Sequence, residues 1–372
     1  SEGWPGENNI PPYIRPPGER NEDFDLVNQG YIGYMGLGYS FREVEMLVWL
    51  EVLRDKQCDD RPCEIGIPKD EGGEADGGCP VKIHIPEMLH LIGEGKFRQA
   101  FDLIKESNPL PNVTGRVCPQ EIQCQGVCTL NQQPIEIGQV EWYLPQSEKV
   151  LNPDANYSIE GFENPWAKAE KPPIAIVGSG PAGLACAYDL VKAGYPVTVF
   201  EAASQAGGML RYGIPEYRLP KKILDSEIDY VKELGAEIKT GTAVTDIDKL
   251  KKQGYKAVFL ANGAWVSQKM NIPGEKADGV MHAIEFLKQV SEGKKVKLGD
   301  KVAVVGGGNA AVDAARTAVR LGAKEVSIIY RRSRAEMPAI SSEIDEMEEE
   351  GVKIRYLTNP LSLIHISEPT RL

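Results

Sequence analysis

Six cysteines crowd into one early stretch of the chain: Cys58, Cys63, Cys79, Cys118, Cys124 and Cys128. Behind them stand two glycine-rich stretches. One reads Ile174-Ala-Ile-Val-Gly178-Ser-Gly180-Pro-Ala-Gly183 and the other Val302-Ala-Val-Val-Gly306-Gly-Gly308-Asn-Ala-Ala311. Thiolates are soft ligands suited to iron or zinc. Glycine loops between a strand and a helix cradle pyrophosphates. Two loops in one chain can hold two dinucleotides, and the cysteines suggest a one-electron carrier beside them. The combination points to electrons passing from a nicotinamide through a flavin to iron–sulfur clusters.

In the first loop Gly178 allows the tight turn, Gly180 lets the backbone approach a pyrophosphate, and Gly183 lets helix and strand pack closely. Ser179, Pro181 and Ala182 complete the phosphate-facing stretch. Glu201 ends the next strand, where a carboxylate can accept both ribose hydroxyls. In the second loop Gly306, Gly307, Gly308, Asn309, Ala310 and Ala311 repeat the mechanics. Its following strand ends in Tyr330-Arg331-Arg332-Ser-Arg334 instead of an acid. Arg331 and Arg332 are therefore expected to read a 2′-phosphate, favouring NADP(H) over NAD(H).

Proline follows Cys79 and Cys118 directly, as in ferredoxin-type loops where it shapes the turn around a cluster. Zinc is the alternative, but zinc sites favour paired short knuckles of two cysteines separated by two residues, and none occurs. Cys186 lies within the first nucleotide helix and reads as a small buried core residue. His84 and His90 read as hydrogen-bonded structural residues. No nucleophile–base pair stands out, and hydride transfer needs none because the cofactor carries the chemistry.

The elements that must position these groups follow from periodicity. Residues 1–38 read as an irregular arm. A helix is expected from Phe41 to Lys56, delivering the chain to Cys58. Pro86 marks a second helix start, and Lys96 to Glu106 a third helix with Phe97, Phe101 and Ile104 on one face. From Ile174 strands alternate with helices, including the strands 196–201, 257–261 and 326–330 and the helix Lys221 to Leu234. This is the pattern of doubly wound parallel sheets. The acidic run Glu343 to Glu350 reads as the solvated face of a helix.

The formal charge of −12 argues against a nucleic acid or an anionic membrane as partner. The longest apolar runs are strand-sized, so no membrane span is expected. Cysteines that bind metal fit the cytoplasm better than an oxidising compartment. Residues 361–372 read as a translated sequencing adapter.

Glu51-x-x-Arg54, the cysteine array with Gly115-Arg-Val-Cys-Pro-Gln-Glu, the first glycine loop, Gly213-Ile-Pro-x-x-Arg218-Leu-Pro and Tyr330-Arg-Arg-Ser-Arg-x-Glu-Met-Pro together resemble the glutamate synthase small-subunit family. That family includes ferredoxin:NADP transhydrogenase large subunits and the N-terminal module of dihydropyrimidine dehydrogenase. The resemblance implies an α/β fold with an N-terminal α-helical iron–sulfur domain and two Rossmann-like domains, the NADP domain inserted in the FAD domain. The cofactors implied are FAD, NADP and two [4Fe-4S] clusters. One cluster would use Cys58, Cys63, Cys128 and Asp55, the last standing where the family has cysteine. The other would use Cys79, Cys118, Cys124 and Glu141. Gly208, Met209, Arg218 and Val244 are further expected flavin contacts. Residues 64–78 exceed the short spacer usual in the family. A returning Gly-Gly-Asp segment that completes the flavin site does not appear, so the chain reads as C-terminally truncated.

The expected division is an arm (1–38), a helical two-cluster domain (39–143), a linker (144–171), the first part of an FAD domain (172–290) and an incomplete NADP domain (291–360). The expected partner is a larger catalytic or electron-accepting subunit taking electrons from NADPH. The alternatives are a transhydrogenase subunit forming NADPH from reduced ferredoxin, and a non-catalytic scaffold stabilised by clusters or zinc.

Overall fold

A computed structural model describes residues 77–128, 130, 134–151 and 171–363, together with Glu64. The expected helix 41–56 lies outside the described residues, as do Asp55, Cys58 and Cys63. The described chain forms two compact units.

The first unit is helical. Pro86 opens α1 (Ile85–Gly93), where its missing N–H costs nothing. α2 (Phe97–Ser107) buries Ala100, Phe101 and Ile104 on one face. α3 (Pro111–Val117) ends at Cys118. α4 (Ile137–Leu151) closes the bundle. Residues 144–151 thus complete a helix rather than open a linker. Pro145 suggests a break, because proline inside a helix removes a hydrogen bond. Leu144 is fully buried, however, and anchors the helix through it. Cys124 and Cys128 sit in the core with Ile85, Met88, Ile92 and Leu144, and Cys79 packs against it.

The second unit carries the parallel sheets. β1 (Ile174–Val177) leads through a glycine turn into α5 (Pro181–Lys192), and β2 (Val197–Phe200) follows. A short α6 (Met209–Tyr212) comes next. The chain then leaves this unit: residues Tyr217–Leu234, which include α7 (Lys221–Glu233), belong to the helical unit. It returns with β3 (Glu237–Lys239), α8 (Ile247–Lys252) and β4 (Ala257–Leu260). The sheet order is β3-β2-β1-β4, all parallel.

After α9 (Ala283–Ser291) a second sheet begins. It runs β5 (Lys301–Val305), α10 (Asn309–Arg320), β6 (Glu325–Ile329), α11 (Ser341–Glu349) and β7 (Lys353–Arg355), with parallel order β5-β6-β7. The alanines of α10 let it press on this sheet. Ala315 and Ala318 are fully buried beside Val312 and Ile328.

The acidic run is not merely solvated. Glu346 and Glu350 each reach the buried Arg316 at 2.7 Å, and Arg320 also binds Glu350. Burial alone would raise the Glu350 carboxyl, but the two arginines outweigh it and hold it low. Cys186 is half-buried rather than buried, because it lies on the flank of α5. Among the described residues no helix is long and apolar enough to cross a membrane.

Candidate dinucleotide and iron–sulfur sites

The two glycine loops share one backbone device. α5 starts at Gly180 and α10 at Gly308, both extended and both without a side-chain cap. The Ala311 N–H bonds back to the Gly308 carbonyl at 2.9 Å and Pro181 has no N–H; the remaining first-turn amides have no intrahelical partner, with the positive end of the helix dipole behind them. A Cβ on Gly180 would meet nothing closer than Gly208 Cα at 3.9 Å, and one on Gly308 only Pro338 at 3.9 Å. Open space beside bare amides suits a pyrophosphate. The turn itself is tightly built. Gly178 has φ +104°, and a Cβ on Gly183 would lie 1.9 Å from the Gly178 carbonyl oxygen. Pro181 and Ala182 are exposed on the first turn of α5.

Beyond the turns the loops diverge. Glu201 is buried, and its carboxylate is already engaged. One oxygen accepts the Ser179 N–H at 3.0 Å and the Ser179 hydroxyl at 2.5 Å; the other accepts the Ala203 N–H at 2.8 Å. Ser179 Oγ in turn accepts the Gly207 N–H at 3.1 Å. Glu201 thus ties the first loop to the end of β2, which the sequence does not announce. A carboxylate offers about four acceptor positions, so one remains for a ribose hydroxyl. Gly208 presses against Gly180, where a Cβ would approach its Cα to 2.7 Å. Met209 opens α6 beside this contact. Val244 packs, half-buried, against Ala175, Phe200 and Leu250. Arg218 is buried within the helical unit.

The second loop is braced by the segment after β6. Asn309 Oδ1 accepts the Ile340 N–H at 2.9 Å, and the Gly307 carbonyl accepts the Ala339 N–H at 3.1 Å. Tyr330 covers Gly307 so closely that a Cβ there would meet the ring at 2.5 Å. Gly306 and Ala310 complete the turn and first helical residues, and Ala311 is buried. Arg331 and Arg332 are exposed, with only a 4.0 Å approach from Arg332 to Glu336. Arg334 is different: Asp345 and Glu348 both bind its guanidinium.

In the helical unit Cys79, Cys118 and Cys124 all lie within electrostatic reach of Glu141. Burial pushes the Cys118 thiol up to about 12, with the negative charges of Glu141 and Cys79 adding to it. Cys124 is raised by burial and by the same neighbours, and Cys79 by burial and Glu141. Burial also lifts Glu141 to about 7 against hydrogen bonds from Thr114 and Asn108. The N–H of Ile83 points at Cys79 Sγ at 3.4 Å. Three thiols and a carboxyl held together out of water are costly to ionise. Bound cations reverse that cost and deprotonate thiols outright. Among the described residues no three His, Cys, Asp or Glu converge at the spacing of a single metal ion. A [4Fe-4S] cluster asks for something wider, since each iron takes its own ligand. The donor set fits a cluster. Cys128 is buried in the core nearby in sequence, while its expected companions lie outside the described residues. His84 Nδ1 pairs with Glu64 at 3.0 Å, in keeping with a structural role.

Sequence comparison agrees with this geometry. Residues 172–366 match the model of the pyridine nucleotide-disulphide oxidoreductase family. The chain belongs to that family. Its oxidoreductase fold binds FAD and a nicotinamide dinucleotide, which accounts for two loops in one unit. Residues 51–152 match dihydropyrimidine dehydrogenase domain II, 4Fe-4S cluster. The chain is 39% identical over 308 residues to the NADP(+)-dependent formate dehydrogenase subunit beta of Moorella thermoacetica, covering 77% of this chain and 43% of that protein. It is 38% identical over 306 residues to the NADPH-Fe(3+) oxidoreductase subunit beta of Geobacter sulfurreducens, covering 77% and 43%. It is 36% identical over 301 residues to the glutamate synthase [NADPH] small chain of Escherichia coli, covering 77% and 62%. The chain therefore spans roughly half the length of these relatives. The resemblance to the glutamate synthase small-subunit family is borne out.

Neither Asn108 nor Thr114 stands out in the sequence as part of a site, since Asn108-Pro109 reads only as a helix stop. The signal would have been the pair's position ahead of Cys118, visible only once Glu141 is brought back to it.

Proposed function

We propose that the chain is the electron-input module of a larger oxidoreductase, taking electrons from NADPH and handing them singly to a partner subunit. The observation that carries this reading is the gathering of Cys79, Cys118, Cys124 and Glu141 in a chain that also holds two dinucleotide loops of opposite character. FAD at the first loop would accept a hydride from NADPH and release its electrons one at a time to the clusters.

The residues have distinct tasks in this reading. The α5 amides and Gly180 seat one pyrophosphate, while Glu201 takes a ribose hydroxyl and locks Ser179. Met209 and Val244 line the flavin side. The α10 amides with Gly308 and Asn309 seat the second pyrophosphate, and Arg331 and Arg332 bind the 2′-phosphate. One cluster takes Cys79, Cys118, Cys124 and Glu141, and a second takes Asp55, Cys58, Cys63 and Cys128. The partner supplies the acceptor, as the words "small chain" and "subunit beta" in the relatives' names suggest. A cytoplasmic setting keeps such thiols reduced.

Anaerobic reconstitution of the full chain tests the reading. About eight irons per chain are expected from two four-iron clusters, together with NADPH oxidation by an artificial acceptor. Stoichiometric zinc with no iron after anaerobic purification would overturn the cluster assignment.

A further inference from the structure

Glu141 differs from the three thiols beside it in having two donor atoms, only one of which is free. Asn108 Oδ1 accepts the Leu110 N–H at 3.0 Å, which fixes the orientation of the amide. Its Nδ2 must therefore face Thr114 and Glu141. One Nδ2 hydrogen goes to Thr114 Oγ1 at 2.7 Å and the other to Glu141 Oε1. Thr114 has a single hydroxyl hydrogen to give. Glu141 Oε1 lies at 2.5 Å, against 3.1 Å and 3.4 Å for the Leu110 and Pro111 carbonyls. Both donors thus converge on Oε1, and among the described residues Oε2 accepts no hydrogen bond. Asn108 and Glu141 are nearly fully buried, so water cannot easily substitute for either donor.

We propose that Asn108 and Thr114 are positioning residues for an iron ligand: by holding Oε1 of Glu141 they leave Oε2 to the cluster beside Cys79, Cys118 and Cys124. The proposal rests on the reading of Glu141 as a ligand given above. It also has an electronic consequence. Hydrogen bonds to the non-ligating oxygen draw charge from the carboxylate, and partners behind a metal ligand tune the metal in this way. A weaker donor stabilises the reduced cluster, so the clamp holds the potential of this cluster above the value a bare carboxylate would give.

The test uses the full chain, reconstituted anaerobically, with redox titrations followed by electron paramagnetic resonance and iron analysis. Thr114→Val removes one donor at nearly constant shape. It is expected to move the potential of one cluster to a more negative value and change its spectrum while the iron count holds. Thr114→Ser keeps the hydroxyl and is expected to keep the wild-type potential. In a Glu141→Cys background, where no carboxylate remains to be clamped, Thr114→Val is expected to add no shift. An unchanged potential in Thr114→Val, or the same shift persisting with Glu141→Cys, would overturn the proposal. Should Thr114→Val fail to fold, Thr114→Ala has no branched side chain to clash and gives the same reading. Glu141→Ala separates the two levels. If it leaves iron content and spectra untouched, the ligand reading itself fails. If it alters them while Thr114→Val does not, only the clamp fails.

Discussion

The two units of this chain build their sites from different materials. In the nucleotide unit the proposed binding device is mainly backbone: amides at the starts of α5 and α10, reached through turns that glycine permits. In the helical unit the proposed device is made of side chains from separate elements, namely Cys79, Cys118, Cys124 and Glu141, and the buried charges that hold those elements. A backbone site is specified by neighbours in sequence and fails when an atom is added. A side-chain site is specified by partners far apart and fails when an atom is removed.

The buried pair Lys105–Glu227 is the sharpest place to break the second kind. Glu227, from α7, accepts from Lys105 Nζ at 2.8 Å and from the Asn112 N–H at 2.9 Å. The latter contact caps the start of α3, which has no cap of its own and ends at Cys118. Lys105 also lies 4.4 Å from the centre of the Tyr230 ring. Glu227→Ala removes the carboxylate from the buried Lys105 ammonium and uncaps α3, and removing one partner of a buried pair costs about 3–5 kcal/mol. Urea unfolding should show that loss. Lys232→Ala on the same helix breaks only the exposed pair with Asp229 and should cost under about 1 kcal/mol. Similar losses in the two variants would mean that α7 is not held by the buried pair.

The first glycine loop tests the opposite failure. Gly183→Ala puts a Cβ against the Gly178 carbonyl oxygen, and overpacking of this kind costs about 1–3 kcal/mol. The turn should open, and flavin retained per chain after gel filtration should fall with it. The second loop already carries alanine at the matching position, so Ala311→Gly relieves nothing and costs only about 1 kcal/mol as a glycine inside a helix. Full flavin retention in Gly183→Ala would show that the turn relaxes without consequence.

These contrasts explain what could be read in advance. The glycine turns and the strand–helix alternation were legible because each is a local pattern set within a few residues, whereas the hydrogen bonds of Glu201 to Ser179 join two segments 22 residues apart. The partnership of Lys105 with Glu227 was not, since 122 residues separate them and Glu227 looks in sequence like any other acid on an amphipathic helix. For the same reason residues 217–234 were expected with the flavin elements, although their buried face belongs to the helical unit. The cysteines could be singled out as candidate ligands, but the hydrogen bonds on Glu141 depend on Asn108 and Thr114 meeting α4 in space. Residues 144–151, expected as the start of a linker, instead complete α4, in which Leu144 is fully buried.

The arginines after β6 divide in the same way. Arg331 and Arg332 are exposed, and among the described residues no acid holds them closer than 4.0 Å. Charge-assisted hydrogen bonds contribute about 1.5–3 kcal/mol each, and about 1.4 kcal/mol is tenfold in affinity. Replacing both with alanine should therefore lower the NADPH/NADH ratio of kcat/KM by about ten- to hundredfold per contact. An unchanged ratio would mean that other residues read the phosphate.

Arg334 should show the smallest effect, although it sits in the same run of sequence and carries the same charge. Its guanidinium is engaged by Asp345 and Glu348 from α11, so turning it to a nucleotide would mean breaking both contacts. Those contacts are partly exposed and are worth at most about 1 kcal/mol together. Arg334→Ala is accordingly expected to leave the NADPH/NADH ratio within about twofold of wild type, a change below the roughly 0.4 kcal/mol that twofold represents, and to lower stability only slightly. Raising the salt concentration should shrink even that stability difference, because exposed ion pairs are screened. If Arg334→Ala lowers the ratio as far as Arg331→Ala does, the acidic helix does not retain this arginine when nucleotide binds, and three guanidinium groups rather than two face the 2′-phosphate.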